Sequence, residues 1–161
     1  MPALRDDQMY QVVAQVDVAP IAAMLDRLQW VGINGHIKGD PNRPPCSVVL
    51  YDKFPAELRA FLDAVPLGGR LGRALLRRLD PGQHIPPHTD EWMPGEMNWR
   101  RFQVPIATHP DVIMRWTGDA VSVHLEPGNV YEVRYDRVHE VVHGADVPRV
   151  HLQIDQIDAT I

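Results

Sequence analysis

Two segments in the first half of the chain carry apolar residues at the spacing of a helix. The first covers residues 17–30, with Asp17 in position to cap its first turn and Pro20 close to its start. The second covers residues 55–65 and begins at Pro55. The apolar stripes consist of Ile21, Met24, Leu25 and Leu28 in the first segment and Leu58, Phe61, Leu62 and Val65 in the second. We predict two helices that pack these stripes against a sheet.

The pattern changes at Leu75, where short runs of β-branched, aromatic and apolar residues begin to alternate with turn sequences. In one run Val121 and Val123 share a face while Ser122 and His124 share the other, as a half-buried strand requires. The runs cover residues 74–79, 112–116, 120–125 and 130–135, and the turns are Pro81-Gly82, Thr117-Gly118-Asp119 and Pro127-Gly128-Asn129. The predicted fold is α+β and mainly β: a jelly roll, or double-stranded β-helix of cupin-like type, with helices packed on one side.

Length and composition fit one globular domain. The chain has 161 residues, of which 45% are hydrophobic and 23% charged, and no stretch reaches the roughly 18 consecutive apolar residues of a membrane span. We interpret residues 1–161 as a single domain, with a helical and mixed N-terminal part at 1–70 and a jelly-roll core at 71–158 that carries the site. The first residues turn acidic and polar, unlike a secretory signal, so we expect a cytoplasmic protein with no membrane partner. No pattern indicates the oligomeric state.

Cysteine content and charge exclude two classes of function. Cys46 is the single cysteine, so the chain forms no internal disulfide and no thiolate zinc cage, and a metal site must use histidine and carboxylate. The formal net charge of −5 argues against a nucleic-acid partner. The four arginines between Arg70 and Arg78 are interpreted as a solvated face, because clustered charge without stacking aromatics is weak evidence for nucleic-acid binding.

The sequence His88-Thr89-Asp90 places an imidazole and a carboxylate two residues apart. In extended backbone both side chains project to the same side and can bind one ion, and Pro86 and Pro87 before them favour a strand end that opens into a loop. These are ligands that iron(II) accepts in a facial arrangement of two histidines and one carboxylate. The pair alone is a weak signal among eight histidines, and it needs a third ligand.

A third histidine and an arginine follow near the C-terminal end, in the segments 137–144 and 149–155. With the His-x-Asp pair, their order and spacing resemble the aspartyl/asparaginyl β-hydroxylase family and the related free-proline hydroxylases, which are iron(II)/2-oxoglutarate dioxygenases. The resemblance covers residues 75–155. It implies that His88, Asp90 and His139 are the catalytic metal ligands. It also implies that Arg149 binds the far carboxylate of 2-oxoglutarate, for which a planar guanidinium presents paired donors.

Three further residues are assigned to the cosubstrate pocket. The family has an Arg-x-His pair on one strand, and here Arg101 is retained while Gln103 replaces the histidine and can still donate a hydrogen bond to a carboxylate. An ordinary strand with an exposed arginine is the alternative for this segment. His151 shares the strand face of Arg149 and is expected to line the pocket. His143 stands where the family has asparagine, and we do not expect it to be a ligand.

The remaining histidines are interpreted as structural. His84 cannot form a helical metal pair with His88, because two prolines between them forbid a regular helix. His109 lies in a turn beside a proline and is expected to be exposed. His124 faces either the barrel interior or solvent, and the sequence leaves this open.

The resemblance implies a reaction in which iron(II), 2-oxoglutarate and O2 hydroxylate a C–H bond while 2-oxoglutarate is decarboxylated to succinate. The substrate is a small molecule, an amino acid or a peptide side chain. Residues 91–100, with Trp92 and Trp99, are either a lid over the site or ordinary packing. The alternatives are a cupin-like metal enzyme that does not use 2-oxoglutarate and a non-catalytic small-molecule binding module. A buried Arg149 beside the metal favours the 2-oxoglutarate enzyme.

Overall fold

The computed structural model describes residues 3–33, 46–90 and 99–157. Within these ranges eleven strands form two antiparallel sheets. The strands are β1 (Tyr10–Gln15), β2 (Val31–Ile33), β3 (Cys46–Leu50), β4 (Arg70–Leu79), β5 (Ile85–His88), β6 (Trp99–Ala107), β7 (Val112–Trp116), β8 (Val121–Val123), β9 (Asn129–Val133), β10 (His139–His143) and β11 (Arg149–Ile157). The larger sheet has the order β1-β9-β6-β11-β4-β3-β2 and the smaller one the order β5-β10-β7-β8. This antiparallel two-sheet architecture confirms the predicted jelly roll.

Strand β11 at the centre of the larger sheet separates an apolar face from a polar one. Val150, Leu152 and Ile154 belong to the main apolar core, together with residues of the helices. The alternate positions on β11 carry polar side chains, which are buried as well: Arg149, His151, Gln153 and Asp155. Because successive side chains of a strand point to opposite faces, β11 divides the molecule into an apolar core on one side and a polar interior on the other.

The helix predicted at residues 55–65 is confirmed as α2 (Ala56–Ala64), which buries Leu58 and Leu62. Both side chains belong to the core cluster that includes the apolar face of β11. The amphipathic stripe therefore packs on the outer side of the larger sheet, as predicted.

The single helix predicted over residues 17–30 is wrong. The structure has one helical turn, α1 (Ala19–Ala22), followed by a separate 3-10 turn at Leu25–Arg27. The Leu25 carbonyl accepts from the Leu28 N–H at 3.3 Å and from the Trp30 indole N–H at 3.0 Å, and the backbone becomes extended at Leu28, with ψ of 150°. Apolar spacing did not reveal the break, because both short turns still bring their apolar residues to the core.

The strand predictions in the second half hold with shifts at the ends. The run 112–116 coincides with β7, whereas the run 74–79 is the last part of the longer β4. The turns after β4 and before β9 contain Gly82 and Gly128 at φ of 82° and 84°, which is left-handed backbone that favours glycine. Among the described residues, no helix combines the length and the apolar character needed to cross a membrane.

Candidate metal centre

His88, Asp90 and His139 meet at one point on the smaller sheet. Strands β5 and β10 are antiparallel neighbours, and His139 is paired in register with His88, so the two ring centroids lie 4.5 Å apart. Asp90 follows the end of β5, where its backbone N–H donates to the Tyr135 carbonyl at 3.0 Å. One ligand atom of each of the three residues lies within 4.8 Å of the others. The predicted triad is therefore brought together by strand pairing and one loop hydrogen bond.

The backbone orients both imidazoles in the same way. Nδ1 of His88 lies 2.8 Å from the Pro86 carbonyl oxygen, and Nδ1 of His139 lies 2.8 Å from the Arg137 carbonyl oxygen. A carbonyl only accepts, so each Nδ1 donates and carries the ring proton. Each Nε2 is thus directed at Asp90, and it presents the lone pair that a metal ligand requires once it carries no proton.

The two Nε2 atoms converge on the carboxylate of Asp90. Nε2 of His88 is 3.3 Å from Oδ1 and Nε2 of His139 is 3.6 Å from Oδ2. Ligands about 2.1 Å from one ion and at right angles to each other lie roughly 3 Å apart. One ligand atom from each residue lies within 4.8 Å of the others, so the side chains would have to move closer to share an ion. Two nitrogens and one carboxylate match the facial iron(II) arrangement. The donor set and its spacing thus fit the metal that the sequence implies.

Asp90 is held in its ionised form. Burial raises the pKa of this carboxyl, but the hydrogen bonds with His139 and His88 and the charge of Arg101 outweigh burial and hold the pKa well below its usual range. An ionised carboxylate is the form that binds a cation.

Arg101 on β6 is buried at 5% exposure, so the alternative of an exposed arginine on this strand is wrong. Its Nη1 donates to Asp90 Oδ2. Its Nε and Nη2 donate to the two oxygens of Asp155, at 2.8 and 3.1 Å. Trp99 and Tyr135 lie beside the guanidinium, with ring centroids 4.9 and 6.0 Å from its carbon. Arg101 therefore connects the metal-binding carboxylate to the larger sheet.

Asp155 is a functional residue that the sequence analysis missed. It is 1% exposed and also accepts two hydrogen bonds from Arg73, at 3.0 and 2.8 Å. On the two neighbouring strands, β4 and β6, Arg73 and Arg101 are its direct register partners. The alternation of polar and apolar residues along 149–155 was the available signal, since it places Asp155 on the same face as Arg149.

Arg149 lies in the same cavity as the triad and is 4% exposed. Its Nη2 donates to Nδ1 of His151 at 2.8 Å, and Gln103 Oε1 lies 3.3 Å from the same nitrogen. Burial, and then the charge of Arg149, hold the pKa of His151 well below its usual value, so this ring is neutral. His151 itself lines a smaller cavity next to the triad's cavity, on the far side of Arg149. It acts as a support for the arginine.

The cavity between the sheets is lined by the triad and by the buried arginines and glutamines of the larger sheet. Its walls are formed by Arg77, Ile85, His88, Asp90, Arg101, Gln103, Met114, Val133, Tyr135, His139, Val141, Arg149 and Gln153. The metal ligands come from the smaller sheet and the segment after β5, whereas the arginines and glutamines come from the larger sheet. The arrangement provides a cation site at one wall and anion-binding groups at the facing wall.

The interpretation of residues 70–78 as a solvated arginine face is wrong for two of the four arginines. Arg73 pairs with the buried Asp155, and Arg77 lines the cavity. Both residues are on the face of β4 that meets the polar face of β11, because Arg73 is paired with Asp155 and Arg77 with His151. The prediction assigned all four arginines to one face, although side chains on a strand point alternately inward and outward.

Three other predictions concern residues around the site. Residues 91–98, which contain most of the proposed lid, lie outside the described residues. Trp99 is buried and stacks on Tyr135 with ring centroids 3.5 Å apart. His143 is buried away from the triad, and its backbone N–H donates to His84 Nδ1 at 2.9 Å. His124 places its Nδ1 3.1 Å from the Val112 carbonyl oxygen, within the smaller sheet.

Comparison with known families gives one match. Residues 49–158 match the aspartyl/asparaginyl β-hydroxylase family, and the matched range includes all three triad residues and Arg149. No curated protein sequence matches the chain.

Several solved structures share the fold at low sequence identity. A collagen prolyl hydroxylase of Paramecium bursaria Chlorella virus-1, solved as a 2-oxoglutarate complex, has a TM-score of 0.63 at 10% identity and covers 96% of this chain and 98% of its own. A prolyl-4-hydroxylase of Pseudomonas putida has a TM-score of 0.61 at 17% identity, with 93% and 92% covered. HygX of Streptomyces hygroscopicus, solved with nickel and 2-oxoglutarate, has a TM-score of 0.66 at 12% identity, with 97% and 85% covered. At these identities the likeness establishes the fold.

Proposed function

The chain belongs to the aspartyl/asparaginyl β-hydroxylase family of iron(II)/2-oxoglutarate-dependent hydroxylases, and we propose that it hydroxylates a C–H bond of an amino acid, a peptide side chain or a small molecule. In the same turnover 2-oxoglutarate is decarboxylated to succinate and O2 is consumed. The observation that carries the proposal is the convergence of His88, Asp90 and His139 within 4.8 Å, opposite a buried arginine in the same cavity.

The proposed roles follow from the contacts of each side chain. The two Nε2 atoms and the Asp90 carboxylate would hold iron(II), since both Nδ1 protons are committed to backbone carbonyls. Arg149 would bind the far carboxylate of 2-oxoglutarate, as its buried guanidinium faces the cavity. When bound, iron(II) and 2-oxoglutarate activate O2 for transfer of one oxygen atom to the substrate.

Arg101 and the two glutamines have supporting roles in this proposal. Arg101 keeps Asp90 oriented and ionised, because its opposite edge is fixed by Asp155. Gln103 and Gln153 are register partners on adjacent strands and line the cavity together with the triad and Arg149. Their amides are available to donate hydrogen bonds to the oxygens of a bound 2-oxo acid.

The experiment is a measurement of succinate release. Purified protein is loaded anaerobically with iron(II) and 2-oxoglutarate, oxygen is admitted, and succinate is quantified with and without a panel of free amino acids. We expect slow succinate formation without substrate and faster formation with one member of the panel, which would identify the substrate class. His139→Ala should abolish succinate formation because a metal ligand is lost.

The matched control is His109→Ala, since His109 is partly exposed and contacts Asp111 in a turn rather than the cavity. This variant should keep the wild-type rate. Absence of succinate from the wild type, with no calorimetric binding of 2-oxoglutarate, would contradict the proposal and favour a metal enzyme of another type or a binding module.

A further inference from the structure

Arg77 lies beside Arg149 in the wall of the cavity between the two sheets. The residue paired with Arg77 across β4 and β11 is His151, and the residue paired with Arg149 is Leu79. The two arginines are therefore diagonal neighbours on one face of the sheet, at a separation that long side chains span. Both side chains line the cavity that also contains the metal triad.

Arg149 is buried, and Arg77 is partly buried, with its Nε atom shielded from solvent. In the described part of the chain, no acidic side chain forms an ion pair with Arg77 or Arg149, and the Nε atom of each is buried without a hydrogen-bond partner. Burial, and then the charge of Arg77, lower the pKa of Arg149 to about 9, and burial likewise lowers the pKa of Arg77. Two adjacent cations that have lost their hydration are costly for the free protein unless an anion joins them.

In the described part of the chain, no carboxylate pairs with either arginine, although Cys46 lies close enough to favour the charged form of both, and Asp90 that of Arg77. Arg73 and Arg101 share the carboxylate of Asp155, and Arg101 also pairs with Asp90. The carboxylates of Asp90 and Asp155 thus form their ion pairs with Arg101 and Arg73. The Arg77 end keeps an excess of positive charge toward the cavity.

We propose that Arg77 and Arg149 together bind the far carboxylate of 2-oxoglutarate, and that this two-arginine site binds dicarboxylates even without metal. The inference rests on the proposed function and adds Arg77 as a residue that determines cosubstrate specificity. A carboxylate has two oxygens with about four lone-pair sites, enough for donors from two guanidinium groups. The site therefore selects 2-oxo acids with a second carboxylate and rejects monocarboxylates such as pyruvate, and it retains succinate after the reaction.

The test is calorimetry on metal-free protein with 2-oxoglutarate, succinate and pyruvate as probes. We expect the wild type to bind both dicarboxylates and not pyruvate. Arg77→Met should weaken dicarboxylate binding at least tenfold, and Arg77→Lys should lose less because it keeps the charge. The control is Arg78→Met, because Arg78 is the next residue on the same strand, points to the opposite face and pairs with Asp80 at 2.7 Å. It should bind within about twofold of the wild type.

Thermal unfolding provides a second readout, which distinguishes weaker ligand binding by Arg77→Met from a misfolded variant. Arg77→Met removes an uncompensated buried charge, so without ligand its Tm should equal or exceed the wild-type value. Its Tm should then rise less than the wild-type Tm when succinate is added.

The failure of this inference can be told from failure of the proposed function. If Arg77→Met binds 2-oxoglutarate like the wild type while Arg149→Met does not, Arg77 has no part in the site and the proposed function stands. If metal-free protein binds no dicarboxylate but releases succinate when loaded with iron(II), the two-arginine site is again wrong and the hydroxylase proposal is unaffected. If neither arginine influences the binding of 2-oxoglutarate, the two-arginine site is wrong, and so is the role of Arg149 in the proposed function.

Discussion

At the scale of single residues, the site depends on groups that hold the reactive side chains still. Each imidazole of the triad donates to the carbonyl two residues before it, and the carboxylate of Asp90 is held by Arg101. Arg101 is in turn fixed by Asp155. The triad was predicted from His-x-Asp spacing and a family resemblance, and the structure brings its three side chains together. Asp155 was missed because its role depends on which residues stand opposite it on two other strands.

Asp155→Asn should therefore destabilise the protein. The variant removes the charge that faces Arg101, and breaking a buried ion pair costs about 3 kcal/mol or more in the free energy of unfolding. The contribution of Arg73 is smaller, since 40% of its side chain is exposed. Urea unfolding measures the loss, and Asp80→Asn, at the half-exposed pair with Arg78, serves as the control with an expected loss below about 1 kcal/mol. A loss for Asp155→Asn no larger than the control's would show that the pair is not what fixes Arg101.

His151 predicts a pH effect on stability. Its pKa in the folded protein lies well below the usual value near 6.5, so the unfolded chain binds a proton that the folded chain does not. The associated stability is complete above about pH 6.5 and is lost as the pH falls from there toward the folded pKa, by at most about 1.4 kcal/mol per pH unit.

His151→Gln keeps an acceptor for the Arg149 N–H but cannot titrate. Between pH 8 and pH 5.5 the variant should therefore lose less stability in urea unfolding than the wild type, whereas His109→Gln should follow the wild type. Equal losses in all three proteins would mean that protonation of His151 does not contribute.

At the scale of elements, the same strands contribute side chains to the apolar core on one face and to the site on the other. β11 supplies apolar side chains to the core under α2 and polar side chains to the cavity. The sequence predicted α2 well, because proline at the first turn and a regular apolar stripe agree with each other. It overextended the helix at 17–30, where the backbone becomes extended at Leu28 after the 3-10 turn. Apolar spacing alone does not show where such a turn ends.

Leu58→Ala tests this separation. Leu58 is fully buried in α2 against the sheet, so its truncation should cost about 2–5 kcal/mol in the free energy of unfolding while metal affinity stays unchanged. Leu50→Ala is the control, because Leu50 is 49% exposed and its truncation should change stability by about 0.5 kcal/mol or less. Loss of metal affinity in folded Leu58→Ala protein would show that the outer core and the site are coupled.

At the scale of the whole molecule, the site lies between two sheets that each hold half of it. β5 and β10 of the smaller sheet carry the histidines, whereas β4, β6 and β11 of the larger sheet carry the arginines and glutamines. The predicted jelly roll gave this division in outline, since it places strands distant in sequence face to face. Which arginines face inward was not predicted, because that depends on the register of β4 against β11. We propose that residues 1–161 act as one domain around this cavity.

The central claim is that one iron(II) bound by the triad also binds 2-oxoglutarate from the opposite sheet. Anaerobic addition of 2-oxoglutarate to iron-loaded protein tests it directly, because the cosubstrate gives a visible charge-transfer absorption only when its keto and carboxylate oxygens chelate the metal. We expect a band that saturates at one iron per chain in the wild type and in His109→Ala, and that is absent in His139→Ala. No band in the wild type, or an unchanged band in His139→Ala, would contradict it.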